Sequence, residues 1–227
     1  MTRMAQRLVM GALYALTETL CRVDAGALAR VPARGPLIVA ANHINFLEVP
    51  VLYPRLLPRP LTGLVKAQSF HNGFALFFRL TDAIPIHRGE SDAAAFRKAL
   101  AALKANYLLG IAPEGTRSGT GRLLPGHPGV AVLALHSGAP VLPLAYWGGE
   151  AFWSNLTRLR RTDFHIAVDQ PYRVELGGER ASQAVRQAIA DEIMIRIAAL
   201  LPAPYRGVYA GRLDEPRRYL QPLPPQP

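Results

Sequence analysis

The chain has 227 residues, half of them apolar, which is enough for one substantial core and sits near the upper size of a single domain. A formal net charge of +10 points to a polyanionic partner, and charge alone does not choose among anionic lipid head groups, nucleic acid and a phosphorylated substrate. The single cysteine, Cys21, excludes an intrachain disulfide and a cysteine-rich metal cluster; a reducing, cytoplasmic setting fits it, and its place within the N-terminal helix makes it a packing residue.

Leu8 to Thr17 is uncharged, but these ten residues are too few to span a bilayer, which takes ~20. Arg3 and Arg7 precede the run and no small-residue cleavage site follows, so an uncleaved amphipathic helix on a membrane surface is expected rather than a signal peptide. Leu8, Ala12, Leu13, Leu16 and Leu20 form its apolar stripe; a helix packed on the protein's own core would use the same stripe.

Pro36–Ala41 is the first apolar run that ends in a polar loop, the pattern of a buried strand feeding a functional loop. Similar runs recur at Leu61–Val65, Ala83–Ile86, Tyr107–Ala112, Val141–Tyr146 and Phe164–Val168. Helical segments lie between them: Ala93–Lys104 with Phe96, Leu100 and Leu103 on one face, and Gly129–His136, apolar all round. The uncharged stretch from Leu123 to Gly149 is punctuated by Pro125, Pro128, Gly129, Gly138, Pro140 and Pro143, which excludes a spanning helix and leaves a buried helix followed by a buried strand. Ser182 caps a further helix with Val185, Ile189, Ile193, Ile197 and Leu200 in one stripe, ending at Pro202. The alternation predicts an α/β domain with a mostly parallel central sheet flanked by helices. The chain then divides into a membrane-surface helix region at 1–30, a catalytic domain at 31–204 and a proline-rich tail at 205–227, ordered only if it docks.

Three loops carry chemistry. Asn42-His43-Ile44-Asn45-Phe46-Leu47-Glu48 follows the first strand, at the sheet edge where α/β folds place ligands. A carboxylate on one ring nitrogen makes an imidazole an effective general base. Residues five apart on one helix diverge by about 140° at 3.6 residues per turn, so His43 and Glu48 meet only if the chain turns between them. Asn45, as a helix cap, and Pro50, as a first-turn proline, suggest that turn. The same residues also read as a capping box, Asn45-x-x-Glu48, beside an ordinary loop histidine.

Ile111-Ala112-Pro113-Glu114-Gly115-Thr116-Arg117-Ser118 is the second loop. Gly115 lets backbone approach a ligand, Thr116 and Ser118 offer hydroxyls, and Arg117 offers a planar fork for phosphate; the alternative is a tight turn with a surface Arg–Glu pair. The third, Ile84-Pro85-Ile86-His87-Arg88-Gly89, ends a strand in an arginine that on its own reads equally as a solvated cation.

Taken in order, Asn-His-x4-acid, Ile-x-Ile-x-Arg, Pro-Glu-Gly-Thr-Arg-Ser and Ala139-Pro140-Val141-Leu142-Pro143-Leu144 resemble the four-block pattern of the glycerolipid acyltransferases, the family that includes bacterial 1-acylglycerol-3-phosphate acyltransferase. The resemblance implies that His43 deprotonates an acceptor hydroxyl, which attacks the thioester of acyl-CoA or acyl-carrier protein, with no cofactor, and that Glu48 orients the histidine. Arg88 and Arg117 would hold the acceptor phosphate, with Asn45, Glu114, Gly115 and Thr116 completing the pocket and Lys66 a further phosphate contact. Pro140 and Pro143 would shape a strand under the acyl site.

Two departures stand out. Family members mostly have aspartate at Glu48, one methylene or ~1.5 Å shorter, and many have a lysine within Leu124-Pro125-Gly126-His127. The first motivates other acceptors, another lysophospholipid or a lipid amine, or a lipid-surface binding protein without catalysis.

Competing chemistries lack their motifs. There is no Gly-x-Ser-x-Gly elbow and no Gly-x-Gly-x-x-Gly; Gly121-x4-Gly126 is followed by His127-Pro128 where a phosphate-binding loop needs Lys-Ser or Lys-Thr; and the histidines fall in no metal-ligand spacing, so no metal is expected. Phe152-Trp153 with Arg158, Arg160 and Arg161 combines aromatics and cations as a membrane surface requires, and no nucleic-acid module accompanies them. The expected protein is a peripheral membrane acyltransferase on the cytoplasmic face.

Overall fold

The computed structural model describes residues 3–68, 78, 81–86 and 92–224. Within them nine strands form one sheet: β1 (Cys21–Asp24), β2 (Leu37–Ala41), β3 (Leu61–Lys66), β4 (Ile84–Ile86), β5 (Leu108–Ile111), β6 (Val141–Trp147), β7 (Thr162–Val168), β8 (Tyr172–Val174) and β9 (Leu220–Pro222). Six α-helices accompany them among the described residues: α1 (Arg3–Leu20), α2 (Glu48–Leu56), α3 (Ala93–Lys104), α4 (Gly129–Ser137), α5 (Phe152–Leu156) and α6 (Gln183–Leu200).

The sheet runs β1-β7-β6-β2-β5-β3-β4, with β8 pairing β6 and β9 pairing β8. Every pair from β6 to β4 along this path is parallel, as is β1 with β7, while β6–β7, β6–β8 and β8–β9 are antiparallel. β2 lies between β5 and β6 and is buried along its whole length, which is why it reads as an unbroken apolar run rather than an alternation.

Alternation along β2 divides the core in two. Leu37, Val39 and Ala41 face a cluster that includes Met10 of α1 and Val51, Leu52 and Leu56 of α2. Ile38 and Ala40 face the other cluster, filled by Ala99 and Leu103 of α3, Val130 and Leu133 of α4, and Ile189, Ile193 and Ile197 of α6. α4 buries Val130, Ala131, Leu133 and Ala134 on one side, with Val132 and Leu135 partly buried, so the apolar-all-round segment is covered on one side only; it ends on Gly138 at φ 64, a left-handed residue that glycine supplies without strain. Asp92 accepts the Ala95 N–H at 2.9 Å to start α3, and Ser182 accepts the Val185 N–H at 3.2 Å to start α6.

Three expectations need correction. The N-terminal stripe splits: among the described side chains of α1, Met10 and Thr17 are buried and Leu13 packs beside them, while Leu8, Ala12 and Leu16 are exposed. α1 therefore belongs to the core on one line and leaves an apolar line outside; no described helix is long and apolar enough to cross a membrane. Residues 1–30 are not a region apart, because β1 pairs with β7 in the main sheet. Nor is the proline-rich stretch separate: β9 extends the sheet through β8, and Tyr209, Tyr219 and Leu220 are buried in the larger cluster.

Candidate functional site

The loops after β6, β2 and β5, three neighbouring parallel strands, leave the same edge of the sheet. β2 and β5 are parallel, with Ala40 opposite Ile111, so the loop after Ala41 and the loop after Ile111 emerge side by side. β6 flanks β2 on the other side, with Ala41 opposite Leu144. Asn42 closes this junction: its side-chain amide donates to the Tyr146 carbonyl at 2.9 Å and its oxygen accepts the Tyr146 N–H at 2.8 Å. Side-chain atoms thus continue the β2–β6 ladder one step past the strand and satisfy two buried backbone groups that would otherwise be orphaned.

His43 follows directly. Its Nδ1 lies 3.0 Å from Oε2 of Glu48, the first residue of α2, and the chain turns between them. The other Glu48 oxygen, Oε1, accepts the backbone N–H groups of Ile44 at 2.6 Å and Asn45 at 2.7 Å. Asn45 Oδ1 in turn accepts the Leu47 N–H at 2.8 Å. The expected capping box is met only in half: Glu48 accepts the Asn45 N–H, but α2 starts at Glu48 behind Leu47 with no side-chain cap, and Asn45 reaches the Leu47 N–H instead, so one oxygen of Glu48 holds the turn before α2 and the other holds the imidazole.

A carboxylate accepts and does not donate, so Nδ1 carries the proton and the lone pair resides on Nε2. Among the described residues Nε2 has no protein partner, and the His43 side chain is partly exposed while that of Glu48 is buried. The ring is held from behind and open in front, the arrangement a general base needs.

Glu114 supports the loop from the other side. It is buried, with Oε1 accepting the His43 N–H at 2.8 Å and Oε2 accepting the Leu124 N–H at 2.8 Å. Ser118 N–H donates to the His43 carbonyl at 2.8 Å, so the backbone of His43 is fixed on both sides by the loop after β5. Burial raises the Glu114 carboxyl above its ordinary value, opposed by the two amide hydrogen bonds. With both oxygens engaged by backbone, Glu114 acts as a clasp between loops.

Gly115 sits at φ 64, and a Cβ there would meet the His127 ring at 3.1 Å, so glycine is needed both for conformation and for space. His127 N–H donates to the Pro113 carbonyl at 2.8 Å. Thr116 and Arg117 are exposed beyond Gly115, and Glu114, the carboxylate of the same loop, is engaged by the amides of His43 and Leu124. Lys66 is exposed at the end of β3, two strands from β2, and Asn45 spends its amide on the Gly149 carbonyl at 2.6 Å. Arg88 lies outside the described residues.

The sequence did not signal the strap behind this site. Tyr209 accepts the Gly126 N–H on its hydroxyl at 2.9 Å, Leu123 N–H donates to the Tyr205 carbonyl at 2.9 Å, and Gln187 donates to the Gly126 carbonyl at 2.9 Å. The C-terminal segment and α6 thus hold the 123–127 loop, whose Leu124 reaches Glu114. Burial pushes the Tyr209 phenol up to about 12, and burial beside Glu150 does the same to Tyr205.

Comparison with known proteins gives a consistent picture. A family model described as Acyltransferase matches residues 22–147, more than half of the chain, and this interval contains the loops that carry His43 and Glu114. The chain is 28% identical over 119 residues to a 1-acyl-sn-glycerol-3-phosphate acyltransferase of Bacillus subtilis (strain 168), covering 52% of this chain and 59% of that protein. With the 1-acyl-sn-glycerol-3-phosphate acyltransferase of Cocos nucifera it is 29% identical over 143 residues, 61% of this chain and 46% of that one. The alignments thus span about half the length of these relatives. The crystal structure of the 1-acyl-sn-glycerophosphate (LPA) acyltransferase PlsC from Thermotoga maritima superposes with a TM-score of 0.61 at 20% identity, over 88% of this chain and 84% of that one, a likeness of fold.

Proposed function

Since the chain belongs to the acyltransferase family, we propose that it transfers a fatty acyl group from acyl-CoA or acyl-carrier protein to the free hydroxyl of 1-acylglycerol-3-phosphate, with His43 as the general base. The observation that carries this reading is the His43 Nδ1 to Glu48 Oε2 contact of 3.0 Å, with Nε2 left open at the sheet edge. The names of the Bacillus subtilis and Cocos nucifera relatives support the acceptor.

In this mechanism Nε2 takes the proton of the acceptor hydroxyl as its oxygen attacks the thioester carbonyl carbon. The imidazolium that forms is stabilised by the buried carboxylate of Glu48. Collapse of the tetrahedral intermediate breaks the carbon–sulfur bond, and the leaving thiolate takes the proton back from Nε2. One ester and one free thiol result, and no group on the protein is consumed. Arg117, extended from the loop beside His43, holds the acceptor phosphate, with Arg88 and Lys66 as further cations.

The acceptor is a bilayer component, and a net charge of +10 suits an anionic lipid surface, so the enzyme works as a peripheral protein on the cytoplasmic face of the membrane. The test is mass spectrometry of the lipid products formed from mixed lysophospholipids and one acyl thioester, with free thiol measured in parallel. Phosphatidic acid as the main product is expected, and its loss in His43→Ala with the fold intact. Turnover retained in His43→Ala would overturn the mechanism; acylation of another lysophospholipid or of a lipid amine would overturn the acceptor.

A further inference from the structure

Leu159 is the most exposed large apolar residue among those described, at 96%, and it has φ 53. That left-handed conformation is one glycine or asparagine adopts readily and a leucine rarely does. The turn is not loosely held. Leu159 N–H donates to the Leu156 carbonyl at 3.1 Å, and the N–H groups of Arg158 and Arg160 share the Asn155 carbonyl at 3.0 and 2.9 Å. Asn155 is fixed in turn by its side-chain amide on Thr162 Oγ1 at 3.2 Å. A rigid, strained turn thus presents an isobutyl group to solvent, where neither packing nor backbone preference accounts for it.

What surrounds the tip identifies what it meets. Arg158 and Arg160 flank Leu159, are exposed, and among the described residues form no ion pair. Six residues earlier Trp153 is 61% exposed, with its ring against Phe46 at 5.5 Å. Phe46 belongs to the loop between His43 and Glu48, so the exposed indole is continuous with the catalytic loop. Arg161, at the other end of the turn, donates to the carbonyls of Glu18 and Cys21, joining the turn to the end of α1. An apolar tip between two cations, with an indole behind it, matches the boundary between acyl chains and anionic head groups: the leucine enters the hydrocarbon, the arginines meet phosphates, and the indole lies at head-group level.

We propose that α5 and the turn at residues 157–161 form an interfacial anchor that inserts Leu159 into an anionic bilayer and holds the His43 loop at its surface. This rests on the reading that the acceptor is drawn from a bilayer, and it names the residues that engage the membrane.

The experiment compares the full chain with Leu159→Asp, Leu159→Gly and the Arg158→Ser/Arg160→Ser pair. Binding is measured by co-sedimentation with vesicles of phosphatidylcholine alone or with phosphatidylglycerol, and turnover with a vesicle-held long-chain acceptor and with a monomeric short-chain one. The wild type is expected to bind the anionic vesicles. Both Leu159 variants should lower that partition by about tenfold or more and raise the apparent KM for vesicle-held acceptor, with turnover of the short-chain acceptor unchanged. Leu159→Gly should also raise Tm, because it removes the strain. The paired arginine variant should lose the preference for anionic over neutral vesicles. Wild-type binding retained by Leu159→Asp would overturn the anchor and leave the membrane reading standing, whereas a wild type that binds neither vesicle overturns both. Equal loss of short-chain turnover in the Leu159 variants would overturn the anchor by showing that the turn acts on the site itself.

Discussion

Glu48 divides its carboxylate between two tasks: Oε2 lies 3.0 Å from His43 Nδ1, and Oε1 accepts the amides of Ile44 and Asn45. Orientation of the imidazole and the path of the loop that carries it are therefore set by one side chain. It does so from the first residue of α2.

Glu48→Gln should separate the two tasks. The amide retains one accepting oxygen, and its NH2 cannot accept the Nδ1 proton or the loop amides. We expect kcat to fall by about 10²–10⁴-fold with little change in KM, read from steady-state kinetics. Glu48→Asp keeps the charge, so it should retain more activity than Glu48→Gln; the reverse order would exclude a carboxylate role.

Asn42→Ala removes both side-chain bonds to Tyr146 and leaves a buried N–H and a buried C=O unpaired. Each unsatisfied group costs about 1–3 kcal/mol. Urea denaturation should therefore show a loss of about 2–6 kcal/mol, and activity should fall in the folded fraction, because the residue before His43 has lost its tether. Stability unchanged within error would show that the clasp is dispensable.

Glu114→Gln isolates a buried ionisation. Burial raises the Glu114 carboxyl above the ordinary carboxylate range, so the protonated acid is favoured more in the folded than in the unfolded state. The contribution is thus fully present below the unfolded value and is lost as pH rises through the raised folded value. Wild-type stability relative to Glu114→Gln should accordingly increase as pH falls from 7 toward the ordinary carboxylate range. A difference that is flat with pH, or that shrinks on acidification, contradicts the burial argument.

Tyr209→Phe keeps the buried ring and deletes the hydroxyl that accepts from Gly126. A cost of about 1–3 kcal/mol is expected for the unpaired amide, visible in Tm. If the strap positions the loop at residues 123–127, KM for phosphorylated acceptors should rise more than kcat falls. Removal of residues beyond 204 should destabilise the protein more severely, since Tyr209, Tyr219 and Leu220 are core residues.

The long elements were legible because their periodicity is local. Apolar runs placed β2, β3, β4, β5, β6 and β7 to within about two residues, and Ala93–Lys104 is a helix between those same residues. β1, β8 and β9 were not legible: they are three or four residues long, of mixed polarity, and are strands only because a partner supplies the ladder. The stripe on α1 was legible as an apolar face, but amphipathicity does not say what that face meets: the core is reached by the neighbouring line through Met10, Leu13 and Thr17, while Leu8, Ala12 and Leu16 stay exposed.

The site divides in the same way. Sequence alone determined which residues could carry chemistry: a histidine with an acid five residues on, and a Glu-Gly-Thr-Arg loop after a second strand, marked a candidate base and a candidate anion-binding edge, each beside a plainer reading as a turn. Tertiary structure decided which atoms serve it. Asn42 meets Tyr146 across 104 residues, His43 meets Glu114 across 71, and Gly126 meets Tyr209 across 83. Those contacts follow from strand order and loop closure, which depend on the packing of the whole sheet and leave no periodicity in the residues themselves.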